Sequence, residues 1–333
     1  MAGSGGTMVG LGVRGRVGGP AVVHVGVVEA ERLWSVATRR QVGTSAAADQ
    51  VEVATLVAGA LPEPVVLALH RFRERGTPSN TLLLRGLLPG HAEDRLPPTP
   101  PVLFGLPDSP AVRRYGLVLL AAMTRVGSPF TFATLHEGRL VQNVAPVAGQ
   151  EGTQTSGGSE SELGWHVEDA FSDERCDHVG LLCLRGAPDA ATRSATVRAR
   201  DLDPAAVRVL RQPRFGVVPD SAHGTTAAPT PITVLEGPDD DLELRADAIY
   251  LAPLDVRDRA AGAALAHLYR RLGEVAQTHV LLSGDLLVLD NRRAAHARTT
   301  FRPRYDGSDR WLLRIMTTSD GRQHRRRQGH PTV

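Results

Sequence analysis

The chain has 333 residues, 42% of them hydrophobic, enough for a large core in one domain or two small ones. Its 38 basic residues are all arginine and face 36 acidic ones, a net charge of +2. With no lysine available, Schiff-base enzymes, Walker phosphate loops and Ser-x-x-Lys acylases are excluded. Four arginines (Arg322, Arg325, Arg326 and Arg327) crowd residues 321–333, which hold no acid. The remaining body therefore carries 34 minus 36, or −2, so a nucleic-acid partner is not expected. No run of about 18 apolar residues occurs, so no membrane-spanning helix is expected. The N-terminus lacks the apolar core of a secretory signal. Cys176 and Cys183 read as two reduced thiols of a cytoplasmic protein.

In chain order, residues 1–20 read as a flexible arm, followed by a first strand over Pro20–Val25. Helices are predicted over Ala46–Leu61 and Val65–Arg75, stopped by Pro62 and by Gly76 with Pro78. Asn80–Gly86 is a short apolar run of strand length, and Ala111–Val126 is a strong apolar helix. From Phe130 the grammar changes to short strands. Thr131–Thr134 and Arg139–Val144 predict a hairpin around Glu137-Gly138. Val179–Arg185 is a buried strand, Ser194–Val197 another, and Asp203 caps a helix running to Leu210. Residues 212–231, with Pro213, Pro219, Gly224, Pro229 and Pro231, predict a long loop suited to be a lid. Asp255–Ala276 is amphipathic helix. His279–Leu282, Asp285–Leu289 and Arg310–Thr317 return to strand, and residues 321–333 read as a disordered basic tail. Helices first and strands later imply an α+β fold with a mainly β core, a jelly roll (double-stranded β-helix) buttressed by N-terminal and inserted helices.

His166 and Glu168 stand two apart, so an extended strand would point both side chains the same way. His296 lies far downstream, after a buried strand ending at Asp290-Asn291. Two histidines and one carboxylate make the facial triad of non-haem iron(II) oxygenases, with no fourth protein ligand needed. Taken alone, a His-x-Glu pair is commonly structural. Arg310 and Arg314 follow, four apart, so both guanidinium groups can enter one pocket from one strand face, where arginine suits carboxylate binding. The bland alternative is two surface arginines. Asp290 or Asn291 is a candidate to orient His296.

Five stretches together make the pattern specific: Leu140–Pro146, Gly164–Phe171, Val179–Arg185, Gly284–Asn291 and His296 through Arg314. They resemble the clavaminate synthase-like group of iron(II)/2-oxoglutarate oxygenases, which includes arginine and asparagine β-hydroxylases of peptide antibiotic pathways. Phe301–Arg314 is closest to that group's signature, and the likeness covers roughly residues 80–318. It implies one oxygenase domain over residues 21–320, with a jelly-roll core about 130–318. His166, Glu168 and His296 would hold Fe(II), leaving room for 2-oxoglutarate and O2. Arg310 would grip the distal carboxylate of 2-oxoglutarate, helped by a hydroxyl of Thr192 or Ser194, with Thr192 the preferred of the two. Arg314 would hold the α-carboxylate of a small amino-acid-like substrate, and Ser156 and Glu168 would meet its backbone groups.

Two departures bear on the substrate. Leu135 stands where amino-acid hydroxylases of this group tend to carry a glutamine, and its side chain makes no hydrogen bond. Asp247 matches the first of two aspartates typical of arginine hydroxylases, while Ile249 replaces the second. A guanidinium substrate would lose a contact of about 1.5–3 kcal/mol. The expectation is therefore hydroxylation, at C3, of a smaller, less basic or modified amino acid in specialised metabolism. Desaturation or oxidative cyclisation at the same site is the near alternative. A non-catalytic jelly-roll binding protein and a zinc hydrolase are alternatives of other classes.

Overall fold

A computed structural model describes residues 19–40, 47–103, 105–107, 109–132, 135–218 and 229–328. The arm expected over residues 1–20 lies outside them except for its last two residues. Strand β1 (Ala21–His24) leads into helix α1 (Val27–Arg39), which buries Ala30, Leu33, Trp34 and Ala37 along one stripe. This helix was not anticipated. Helices α2 (Ala47–Ala58) and α3 (Glu63–Arg75) follow. Proline at the start of α3 costs no hydrogen bond there, and Gly76, at φ 63°, ends it by donating its N–H to Phe72 O. After strand β2 (Thr81–Arg85), helix α4 (Pro110–Met123) is buried nearly all round and forms the centre of the helical layer.

Strands β3 (Ser128–Phe130) and β4 (Gln142–Val144) precede β5 (Leu163–His166), β6 (His178–Arg185) and β7 (Thr192–Ala195). Helix α5 (Pro204–Leu210) is capped by Asp203, whose carboxylate accepts the Ala205 N–H. Short strands β8 (Phe215–Val217), β9 (Leu235–Glu236), β10 (Glu243–Leu244) and β11 (Leu251–Pro253) come next. The chain then forms α6 (Arg259–Glu274), β12 (Gln277–His279), β13 (Leu286–Asp290), β14 (Ala295–Arg298), β15 (Trp311–Thr318) and α7 (Gly321–Gln328).

These strands make a seven-stranded sheet, β1-β2-β13-β6-β15-β3 with β4 also on β15, and a four-stranded sheet, β12-β7-β14-β5. The result is a mixed α/β architecture. In the larger sheet β6, β13 and β15 are buried on both faces, which is why they read as unbroken apolar runs. Leu182, Leu184, Leu286, Val288, Leu313 and Ile315 pack on the helical layer. Val179, Leu181, Leu287, Leu289, Leu312 and Met316 point the other way. The helical layer sits close because residue 180 is glycine: a Cβ there would lie 2.7 Å from Met123 Sδ. In the smaller sheet Trp165, Ala195, Ala295 and Ala297 face α5 and α6. The alternate residues His166, Thr192, His296 and Arg298 face away from those helices, into the same cavity as Leu181, Leu312 and Arg314 of the larger sheet.

Several expectations need correction. The hairpin around Glu137-Gly138 does not form. Residues His136–Gly138 make one tight 3-10 turn, and β3 and β4 pair with β15 rather than with each other. The long strand β15 offers its edge to both, which a local reading of turn residues cannot see. Ala133 and Thr134 of that expected hairpin lie outside the described residues. The loop 212–231 is not wholly irregular: β8 pairs with β11, and Phe215 is fully buried and bridges to Ile232. Its stretch 219–228 lies outside the described residues. The tail expected to be disordered continues as α7. His324 supplies the anchor, buried beside Phe130 at a ring distance of 4.0 Å, while Arg322 and Arg326 remain in solvent. Residues 329–333 lie outside the described residues. Among the described residues no single helix is long and apolar enough to cross a membrane.

Candidate active site

Between the two sheets lies a cavity of about 600 Å³. His166 ends β5 and His296 is the second residue of β14; the two are register partners, which brings their rings to 4.1 Å. Glu168 lies past the end of β5, so strand alternation does not aim it. The Asn291 side chain does. Its carbonyl accepts the Glu168 N–H at 2.8 Å, and its amide donates to Glu168 O and Cys176 O, both at 3.1 Å. Asn291 therefore positions Glu168 rather than His296. Asp290 accepts the backbone N–H groups of Arg292 and Arg293 and holds the turn that starts β14.

One ligand atom from each of His166, Glu168 and His296 lies within 4.8 Å of the others. The chemistry of these donors suits a divalent cation. His166 Nδ1 donates to Gly164 O at 2.8 Å, which leaves Nε2 as a lone pair. Burial, reinforced by His296, pushes His166 down to about 4, so its ring is neutral. Burial alone would raise the Glu168 carboxyl, but Arg314 and the two histidines outweigh it and hold it well below the usual carboxylate range. Two imidazoles and one carboxylate, gathered on one side of a cavity, form a facial donor set.

Arg314, on β15, donates to Glu168 Oε2 at 2.7 Å and twice to Gln142 Oε1, at 3.0 and 2.6 Å. Gln142 stands opposite Arg314 in the strand register, which places its side chain to hold the guanidinium. Arg310 sits just before β15 and is buried. Its side-chain partner is the Thr192 hydroxyl at 3.2 Å, and no carboxylate among the described residues pairs with it. Ser194 is committed elsewhere, to His279 Nε2 at 2.7 Å. Burial pushes the Arg310 guanidinium down to about 10. A buried cation with a hydroxyl as its companion is a socket for an anion.

Ser156 and Leu135 both line the cavity, Leu135 as part of the apolar wall. Asp247 lines it too, bridged to His166 through the backbone, with Oδ1 accepting the N–H groups of Ile249 and Tyr250. Arg298 was missed. It stands two residues after His296, on the same strand face, and donates to Gly158 O and to Ser161 O at 2.9 Å. It fastens the loop that carries Ser156 to the strand that carries His296.

Comparison with known proteins places this geometry in context. Residues 245–316 match the taurine catabolism dioxygenase TauD, TfdA family model. The chain is 38% identical over 302 residues to the L-asparagine oxygenase of Streptomyces coelicolor, covering 89% of this chain and 87% of that protein. It is 34% identical over 293 residues to clavaminate synthase 2 of Streptomyces clavuligerus, covering 81% and 83%. A solved structure of an asparagine oxygenase in complex with Fe(II), 2S,3S-3-hydroxyasparagine and succinate superposes with a TM-score of 0.84 at 34% identity, covering 92% of this chain and 96% of that one. Two sheets that enclose a His-Glu-His donor set beside a buried anion socket, together with likeness over most of the chain, make one conclusion: this chain belongs to the clavaminate synthase-like family of iron(II)- and 2-oxoglutarate-dependent oxygenases.

Proposed function

We propose that this enzyme hydroxylates an unactivated carbon, C3, of an amino acid or amino-acid-derived metabolite. The observation that carries the reading is the compact triad in one cavity with the guanidinium of Arg310, which no carboxylate among the described residues pairs with. His166, Glu168 and His296 hold iron(II). When bound, iron with 2-oxoglutarate and O2 supplies the oxidation that places a hydroxyl on carbon while 2-oxoglutarate becomes succinate and carbon dioxide. Arg310, assisted by the Thr192 hydroxyl, receives the distal carboxylate of 2-oxoglutarate. Arg314 receives the α-carboxylate of the amino acid and keeps the Glu168 carboxylate turned inward through its 2.7 Å contact. Ser156 faces the backbone groups of the substrate. The protein's part is to orient the target C–H bond and to keep both carboxylates in fixed sockets.

Residues 21–320 form one oxygenase domain whose two sheets make the double-stranded β-helix, over about residues 130–318. Support comes from the opposed faces that share the cavity. The buried free thiols of Cys176 and Cys183 and the need for reduced iron favour the cytoplasm. Likeness to clavaminate synthase 2 favours a place in specialised metabolism. The test is anaerobic titration of the protein with iron(II) and 2-oxoglutarate. A weak visible charge-transfer band should appear, and should be absent in His296→Ala. A band of equal strength in that variant would sink the assignment.

A further inference from the structure

The cavity's charged lining balances. Among the described residues it presents three guanidinium groups, Arg298, Arg310 and Arg314, and three carboxylates, Glu168, Asp169 and Asp247. Iron(II) and the 2-oxoglutarate dianion add charges that cancel, so the loaded site suits a substrate of no net charge. A side-chain cation would need a carboxylate with capacity to spare. Glu168 is engaged by Arg314 and His296. Asp247 spends Oδ1 on two backbone N–H groups.

The cavity lining includes three exposed apolar side chains. Val102, Val218 and Ile249 are 50%, 44% and 53% exposed. Val218 and Tyr250 are tied by a backbone hydrogen bond at 3.1 Å, which sets Val218 beside Ile249. Deeper in, Leu135 and Phe171 continue the same wall. Exposed apolar side chains gathered at a concave site mark what the ligand must cover.

We propose that the substrate is a zwitterionic amino acid with an uncharged, aliphatic side chain, and that Ile249, Val218 and Val102 select it against lysine, arginine and asparagine. The inference rests on the iron and 2-oxoglutarate reading of the site. Its test uses the whole chain, loaded anaerobically with iron(II) and 2-oxoglutarate, and reads the shift of the visible band as amino acids are added. From L-alanine through L-2-aminobutyrate to L-norvaline, each added methylene should tighten binding by about fourfold. L-lysine, L-arginine and L-asparagine should bind more weakly than L-norvaline. In Ile249→Asp, a surface change that spares the core, the order should reverse for lysine. A flat aliphatic series, or any of the three polar amino acids binding tighter than norvaline, overturns the substrate class. Absence of the band before any amino acid is added overturns the iron reading and this inference with it.

Discussion

Replacing Arg310 with methionine separates binding from folding. The guanidinium is buried, accepted by a single hydroxyl at 3.2 Å and met by no carboxylate among the described residues. Burial pushes it down to about 10. At about 1.4 kcal/mol per tenfold change in proton affinity, keeping it charged there costs about 3 kcal/mol. A carboxylate arriving on Arg310 relieves that cost and forms charge-assisted hydrogen bonds of about 1.5–3 kcal/mol each. Arg310→Met should therefore raise the dissociation constant of 2-oxoglutarate by about 100-fold, a loss of about 3 kcal/mol. The ligand-free protein should be no less stable, because an unpaired buried charge has been removed. Calorimetric titration with 2-oxoglutarate and urea unfolding of the ligand-free protein measure the two quantities. A dissociation constant within about threefold of the parent, or a stability loss above about 2 kcal/mol, would show that Arg310 serves the fold instead.

Asn291→Ala removes three hydrogen bonds that hold Glu168 and Cys176. It should weaken iron(II) binding by about 10–100-fold, measured by competition with a chelator; unchanged affinity would mean Glu168 is aimed by other groups. His279 is buried, and burial pushes it down to about 4. The folded chain thus binds this proton less tightly than the unfolded chain. Its contribution is full above about pH 6.5 and is lost as pH falls toward about 4, by up to about 3 kcal/mol. Urea unfolding between those limits should show a shallower pH slope in His279→Asn than in the parent, and equal slopes would refute the assignment. His324→Ala deletes the ring packed 4.0 Å from Phe130. It should cost about 2 kcal/mol and free the C-terminal helix to proteolysis, whereas an unchanged cleavage pattern would count against α7 being docked.

Residue identity and short-range pattern were enough to set part of this structure. The apolar runs of β2, β6, β13 and β15 lie where burial on both faces requires them, and Asp203, Pro62 and Gly76 bound helices as their chemistry dictates. That His166, Glu168, His296 and Arg310 gather in one cavity could be expected from motif order along the chain. What spacing could not supply is which partner each polar group meets. Strand pairing alone decided that Thr192, not Ser194, faces Arg310, because Ser194 is drawn to His279 on the neighbouring strand. The choice between Asp290 and Asn291 turned on the path of residues 166–168, which leave the strand and need an amide to hold them. The Glu137-Gly138 turn failed to make a hairpin because β15, distant in sequence, offered both segments a better edge. Residues 321–328, polar enough to look unstructured, fold because one buried ring finds a slot formed by Phe130. Local sequence sets what each segment can become. The competition among distant partners for hydrogen bonds and buried area settles which of those outcomes the chain adopts.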